Sequence, residues 1–403
     1  MGHRAVNDFN LELRNRLDAV RGQHLFRELR RVDSTQGPRI EISGKTFHNF
    51  SSNDYLGLAN HPVLKEASIR AIEKFGAGSG ASRLICGSLA PFHELEERLA
   101  DFKRAEAALT FSTGYATAIG TIGALMGKND VIILDKLVHA SIVDAARLSG
   151  AKLRVFAHND LNDLEDKLKW ADKSSKAKSE KRKAEILIVT ESIFSMDGDA
   201  APLREIVALK EKYGAWLMVD EAHSTGIIGE NGRGLADKLG VGGQIEIQMG
   251  TLGKALGSSG GYICGSRVLI DFLVNRARSF IFSTAPVPAA AAAATAAIQL
   301  IQTSEGKRRQ RQLRARITEF QSPIANRQSL IPAAIIPIII GEESEAVAAA
   351  AQLREQGIFV PAIRYPTVAR GKARLRVTLT ASHSADDVAT FIGALKHIVN
   401  RES

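Results

Sequence analysis

The chain has 403 residues, 45% of them hydrophobic and 24% charged, a balance that excludes disordered and fibrous classes; at roughly 150 residues per domain, two or three compact units are expected. Much of its formal charge of +9 sits in "DKLKWADKSSKAKSEKRKAE", Asp166 to Glu185, which lacks an apolar stripe and reads as a solvated helix end and loop, not a nucleic-acid surface. The two cysteines, Cys86 and Cys264, suggest neither a disulfide framework nor a zinc site, and without a signal-type apolar run or a credible membrane span the expected setting is cytoplasmic.

The first thirty residues mix charge with apolar residues at helical spacing and predict a helix whose apolar face has no nearby partner in sequence. "RIEISGKTFHNF", Arg39 to Phe50, reads as a hairpin, and "GAGSGASR", Gly76 to Arg83, as a flexible glycine-rich segment where backbone approaches a ligand or another subunit. From Ala107 short β-branched runs alternate with amphipathic stretches: "AALTF", "VIILD", "LRVFAH", "EILIVTE", "AWLMVDE", "IEIQMG" and "GGYICG". That alternation predicts an α/β domain with a mostly parallel sheet buried on both faces.

"APVPAAAAAATAAIQLIQ" carries prolines and is mostly alanine, so it reads as a loop entering a buried helix. Beyond it, a helix over "RRQRQLRARITEFQSPIANRQ", a strand "AAIIPIII", a helix "SEAVAAAAQLREQG", a strand "ARLRVTLT" and a last helix from Ala385 predict a smaller α+β unit. The expected division is therefore 1–60 packing with the small domain, 61–290 as the large domain and 291–403 as the small one.

Open parallel sheets bind ligands beyond the carboxyl ends of their strands. Polar residues follow the apolar runs there in a coherent set: Ser112 to Thr117 after "AALTF", His139 after "VIILD", Glu191 to Asp199 after "EILIVT", Asp220 and His223 after "AWLMV", Thr251 and Lys254 after "IEIQMG". "STGYAT" offers backbone N–H groups at a helix start, a seat for phosphate. A carboxylate at the end of a buried strand, Asp220, calls for a protonated nitrogen partner. With a stacking imidazole and a lysine amine among small residues, the set describes a pyridoxal phosphate (PLP) site.

"DEAH", Asp220 to His223, also spells a helicase signature. A phosphate-loop NTPase needs G-x-x-x-x-G-K-[ST], and "RIEISGKT" has Arg39 where the first glycine belongs, while "GTLGKA" lacks the hydroxyl residue after its lysine.

Together, "FSSNDYLGLANHP", "GAGSGASRLICGSLAPFHELE", "HAS", "SMDGDAAPL", "VDEAHSTGIIGENGRG" and "GTLGKALGSSGG" resemble the α-oxoamine synthases, a fold-type I PLP family, over nearly the whole chain. The resemblance implies that Lys254 carries the cofactor covalently, Asp220 pairs with the pyridine nitrogen, His139 stacks on the ring and meets substrate, and Ser195 and His223 bond near the phenolic oxygen. It implies Gly114, Tyr115 and Thr251 for the phosphate, with Thr284 reaching it from a neighbouring subunit of a homodimer. Arg27 and Thr367 would contact substrate and Arg376 would take the amino-acid carboxylate.

The implied reaction is a decarboxylative condensation of alanine with a pimeloyl thioester, on coenzyme A or a carrier protein, in biotin synthesis. Ser82, where glycine-using relatives tend to carry a bulkier threonine, implies alanine. Tyr365 and the pair Ala369–Arg370 depart from the family pattern and bear on acyl-chain specificity. A glycine-using acetyltransferase of the same family, a cofactor binder without turnover and a nucleic-acid binder are the alternatives.

Overall fold

The structure is a computed structural model that describes residues 2–176, 184–322 and 333–399. Its strands in chain order are β1 (Arg39–Ile42), β2 (Lys45–Asn49), β3 (Ala107–Phe111), β4 (Val131–Asp135), β5 (Lys152–Phe156), β6 (Ile186–Glu191), β7 (Trp216–Asp220), β8 (Ile247–Thr251), β9 (Gly261–Gly265), β10 (Ile335–Gly341), β11 (Ile358–Phe359), β12 (Ala362–Ile363) and β13 (Ala373–Thr378).

Seven strands form one sheet in the order β3-β9-β8-β7-β6-β4-β5. Strands β4 to β8 run parallel, whereas β9 pairs antiparallel with both β3 and β8. The cause is chain length: a parallel return needs a crossover of about a dozen residues or more, and the connection 252–260 is too short for one. Strands β3, β4, β6 and β7 are buried almost throughout because helices cover both faces, and each interior Val, Leu or Ile contributes about 1.5–3 kcal/mol by burial. At the edge, β5 departs from the expected burial, with Val155 exposed.

One apolar cluster fills each face of the sheet, and the larger continues into the C-terminal residues through Leu375, Val377 and Leu379. The alanine-rich helix Pro288–Ile301 is buried against helices Pro62–Phe75 and Ala90–Lys103, its small side chains allowing close approach. The 290/291 division proposed for the domains thus falls inside the first turn of that helix. No helix of the described residues is long and apolar enough to cross a membrane.

The expected hairpin is β1–β2, in the register Arg39↔His48, and β11 adds to it in parallel, joining the N-terminal segment to the C-terminal unit. Strands β10, β13 and β12 make the second small sheet. The helix expected over 308–328 begins earlier, at Ser304, where Thr303 accepts the Gly306 N–H at 3.4 Å; the part of that reading on 323–332 lies outside the described residues. So do 177–183 of the lysine-rich stretch, whose start lies in helix Leu161–Lys176.

Two segments differ from expectation. The glycine-rich segment 76–89 is anchored, not loose: the Arg83 guanidinium is buried on Glu96 at 2.8 Å between the rings of Phe92 and Phe280, and Ser82 bridges Thr284. The helix Gly2–Gly22 leaves Val6, Phe9, Leu13, Leu17 and Val20 exposed along one side.

Candidate active site

Strands β3, β4, β6, β7 and β8 all end on one edge of the sheet, and the side chains singled out from the sequence collect there. Lys254 lies in the connection from β8 to β9, which closes on itself through Leu252 N–H to Gly260 O at 2.9 Å and Gly257 N–H to Lys254 O at 2.9 Å. Gly257 has φ +62°, and a Cβ on it would stand 2.6 Å from the Ala59 nitrogen, so glycine alone lets this connection press against the 54–59 loop.

That contact assembles a polar chain. Lys254 Nζ lies 2.8 Å from His223 Nε2, and His223 Nδ1 lies 2.5 Å from the Tyr55 hydroxyl. The Tyr55 hydroxyl reaches Asn53 Oδ1 at 3.2 Å, and Arg376 Nη1 donates to the same oxygen at 3.1 Å. Arg376 Nε donates to the Ser195 carbonyl at 2.6 Å.

Burial sets the proton pattern along this chain. It pushes the Tyr55 hydroxyl up to about 12, so Tyr55 keeps its proton, and burial with the nearby Lys254 and Arg376 charges holds the His223 imidazole neutral. One assignment satisfies every group: Tyr55 donates to Asn53, His223 Nδ1–H donates to Tyr55, and Lys254 donates to His223 Nε2. Burial brings the Lys254 amine down to about 8, with Arg376 lowering it further and Asp220 and Glu191 opposing.

Asp220, at the end of β7, is 6% exposed and accepts the Ala222 N–H at 2.9 Å. Burial raises its carboxyl against Lys254, and no cation among the described residues lies within ion-pair distance. A buried carboxyl so placed fits a protonated ring nitrogen.

The anion seat lies at the start of helix Gly114–Leu125, capped by Thr113, whose hydroxyl accepts the Ala116 N–H at 3.0 Å. A Cβ on Gly114 would come 2.7 Å from Thr251 Cγ2, and the buried Thr251 hydroxyl has no hydrogen-bond partner among the described residues. A bare hydroxyl beside unfilled helix N–H groups suits a phosphate. Tyr115 is half exposed and donates to Asp144 at 2.7 Å. His139 caps helix Ala140–Ser149 and accepts the Ser141 N–H on Nδ1 at 3.2 Å, which places its ring proton on Nε2; burial beneath it lowers its pKa. These donors fit PLP.

Arg27 and Thr367 come together at the turn 364–367: Arg27 donates to the Tyr365 carbonyl at 3.1 Å, and Arg364 grips the His24 and Phe26 carbonyls. Both are exposed. Thr284 is also exposed, pairs with Ser82, and has no hydrogen bond to Lys254, His223 or Asp220 within the chain. In "DEAH", Glu221 is a buried ion pair with Lys103, a structural use of the motif.

Asn53 and Tyr55 received no role from the sequence, although they stand in a quoted motif, and Glu191 was noted only as the start of a polar run. Glu191 alone had a readable signal, a carboxylate closing a buried strand.

Residues 45–395 match the model of the aminotransferase class I and II family. An 8-amino-7-oxononanoate synthase of Geotalea daltonii is 47% identical over 385 residues, covering 95% of this chain and 96% of that protein. Among solved structures, a serine palmitoyltransferase variant from S. paucimobilis with PLP and myriocin bound superposes with TM-score 0.88 at 28% identity, covering 97% of each chain. The 8-amino-7-oxononanoate synthase of Francisella tularensis superposes with TM-score 0.73 at 28% identity, over 88% of this chain and 98% of that one.

Proposed function

Since the chain belongs to the aminotransferase class I and II family, we propose that it is a PLP-dependent acyltransferase that condenses alanine with a pimeloyl thioester, releasing carbon dioxide and forming 8-amino-7-oxononanoate for biotin synthesis. The observation that carries this reading is the Lys254 amine, desolvated and hydrogen-bonded to a neutral imidazole, standing between a buried carboxyl and an anion seat.

PLP, when bound, supplies an aldehyde for the lysine and a ring that takes up the electron pair left on the amino-acid Cα. Gly114 and Tyr115 N–H groups and the Thr251 hydroxyl hold its phosphate, and Asp220 keeps its ring nitrogen protonated. His139 covers the ring and directs its Nε2–H toward substrate. Arg376, with Nε and Nη1 fixed by Ser195, Asn53 and Thr378, presents its remaining nitrogen to the alanine carboxylate.

Lys254, its amine brought down to about 8 by burial, has about a tenth of its population neutral at pH 7, far more than an ordinary lysine, and that neutral amine removes the Cα proton. His223, held by Tyr55, steadies the lysine nitrogen and bonds near the phenolic oxygen together with Ser195. The small side chains on either side of Lys254 leave room for the acyl donor. Arg27 and Thr367 contact that donor, and Ser82 leaves space for the alanine methyl.

Thr284 and the exposed residues 84–86 serve the site of a second copy in a homodimer, which accounts for their exposure together with that of Phe282. Lys254→Ala should abolish borohydride fixation of the cofactor and lower turnover by more than about a thousandfold. Full turnover in that variant would overturn the reading. Assays of alanine and glycine against pimeloyl and acetyl thioesters, on coenzyme A and on carrier protein, decide the substrate pair.

A further inference from the structure

We propose that Glu191 is a positioning residue of this site: its carboxyl group joins the His139 and Ser195 segments beside Asp220 and sets the charge that Lys254 meets as pH rises. The inference rests on the reading that Lys254 holds PLP.

Glu191 closes β6 directly beside Asp220 of β7 and is 2% exposed. Its Oε2 accepts the Ser195 N–H at 3.1 Å, and the His139 backbone N–H also lies against the carboxyl group. One side chain thus reaches the segments that carry the ring-covering imidazole and the Ser195 carbonyl gripped by Arg376.

Its other oxygen, Oε1, is buried without a hydrogen-bond partner among the described residues. Two other glutamates packed around the seven-stranded sheet, the part-buried Glu96 and the buried Glu221, behave differently. Glu96 takes Arg83, the Thr110 N–H and the Thr110 hydroxyl, and Glu221 takes Lys103, Ser224 and the Ala236 N–H. Those two have both oxygens engaged, whereas Glu191, beside Asp220, leaves one oxygen bare.

The groups facing Glu191 are Asp220 from β7, Lys254 from the connection after β8, and the backbone of His139 and Ser195. The Tyr55 hydroxyl feels its charge as well, and Arg376 acts on the same Lys254 amine. Burial, then the Asp220 charge, push the Glu191 carboxyl up to about 8, against Lys254 and the two N–H groups. Two neighbouring carboxyls resist ionising together. At pH 7 Glu191 therefore holds its proton on Oε1, because Oε2 is an acceptor, and above about 8 it becomes a second anion facing Lys254.

Two variants separate this from a purely structural part. Glu191→Ala removes the join and should weaken PLP affinity about tenfold. Glu191→Gln keeps an acceptor for Ser195 but never ionises, so it should restore affinity to within about threefold. When the visible absorption of the loaded enzyme is titrated, wild type and Glu191→Gln should superpose below about pH 7. Above about pH 8 they should separate, the glutamine variant changing about one pH unit lower because no anion supports the cation.

Identical titrations, or wild-type affinity in Glu191→Ala, would overturn this inference alone. A wild-type chain that takes up no PLP would overturn the cofactor reading, and this with it. If the variants do not fold, the wild-type chain with carboxyl-13C glutamate serves instead. Burial raises the Glu191 carboxyl to about 8, and the absence of a carboxyl signal titrating near pH 8 would likewise overturn the proposal.

Discussion

Tyr55 occupies the far end of the chain that starts at the Lys254 amine, and removing one oxygen tests whether that chain matters. In Tyr55→Phe the volume is kept, but the His223 Nδ1–H is left buried without an acceptor. The imidazole then has reason to turn or to change tautomer, which withdraws Nε2 from Lys254. Turnover should fall about tenfold with cofactor still bound, and steady-state kinetics beside the visible spectrum would check both halves. Lys254, Asp220, His223, His139 and Thr251 were legible because each follows a buried strand in sequence. Tyr55 and Asn53 were not: they lie some 170 residues from His223 in the loop after β2, a strand of a small separate sheet, and only the close contact allowed by Gly257 brings them in.

At the scale of elements, the loops after β4, β5 and β6 are joined by His158, which bonds Asp135 at 2.9 Å and Asp199 at 2.7 Å. Burial would lower its pKa, but the two carboxylates outweigh burial and raise it to about 10. A histidine raised in the folded state contributes stability that is complete below the unfolded value near 6.5 and is lost as pH rises through about 10. Wild type should therefore lose on the order of 2 kcal/mol between pH 6 and pH 10.5 that His158→Gln never had, visible as converging urea midpoints. Strands β3, β4, β6, β7 and β8 were readable as apolar runs because burial on both faces leaves that mark. The direction of β9 was not, since a strand's composition does not say which way its neighbour runs; only the short 252–260 connection does. Strands β11 and β12, two residues each, carry too little pattern to see.

The whole molecule shows apolar side chains on its outside where a lone chain has no use for them: Ile85 is 79% exposed and Phe282 70%, near the Ser82–Thr284 bridge. The double variant Ile85→Glu with Phe282→Glu changes no interior packing, so its melting temperature as a monomer should hold. On the proposed homodimer, light scattering should nonetheless find dimers for wild type and monomers for the variant, with PLP affinity lowered about tenfold or more by loss of the neighbour's contact. An unchanged dimer would refute this use of the surface. The strand order also bears on how the chain is made. Strand β3 has β9 as its sole sheet neighbour, and β9 is the last strand of that sheet to be synthesised. During translation β3 therefore waits with an unpaired edge while β4 to β8 assemble beside one another. The sheet seals only when the residues just past Lys254 leave the ribosome, so the lysine is set in place by the same event that completes the sheet.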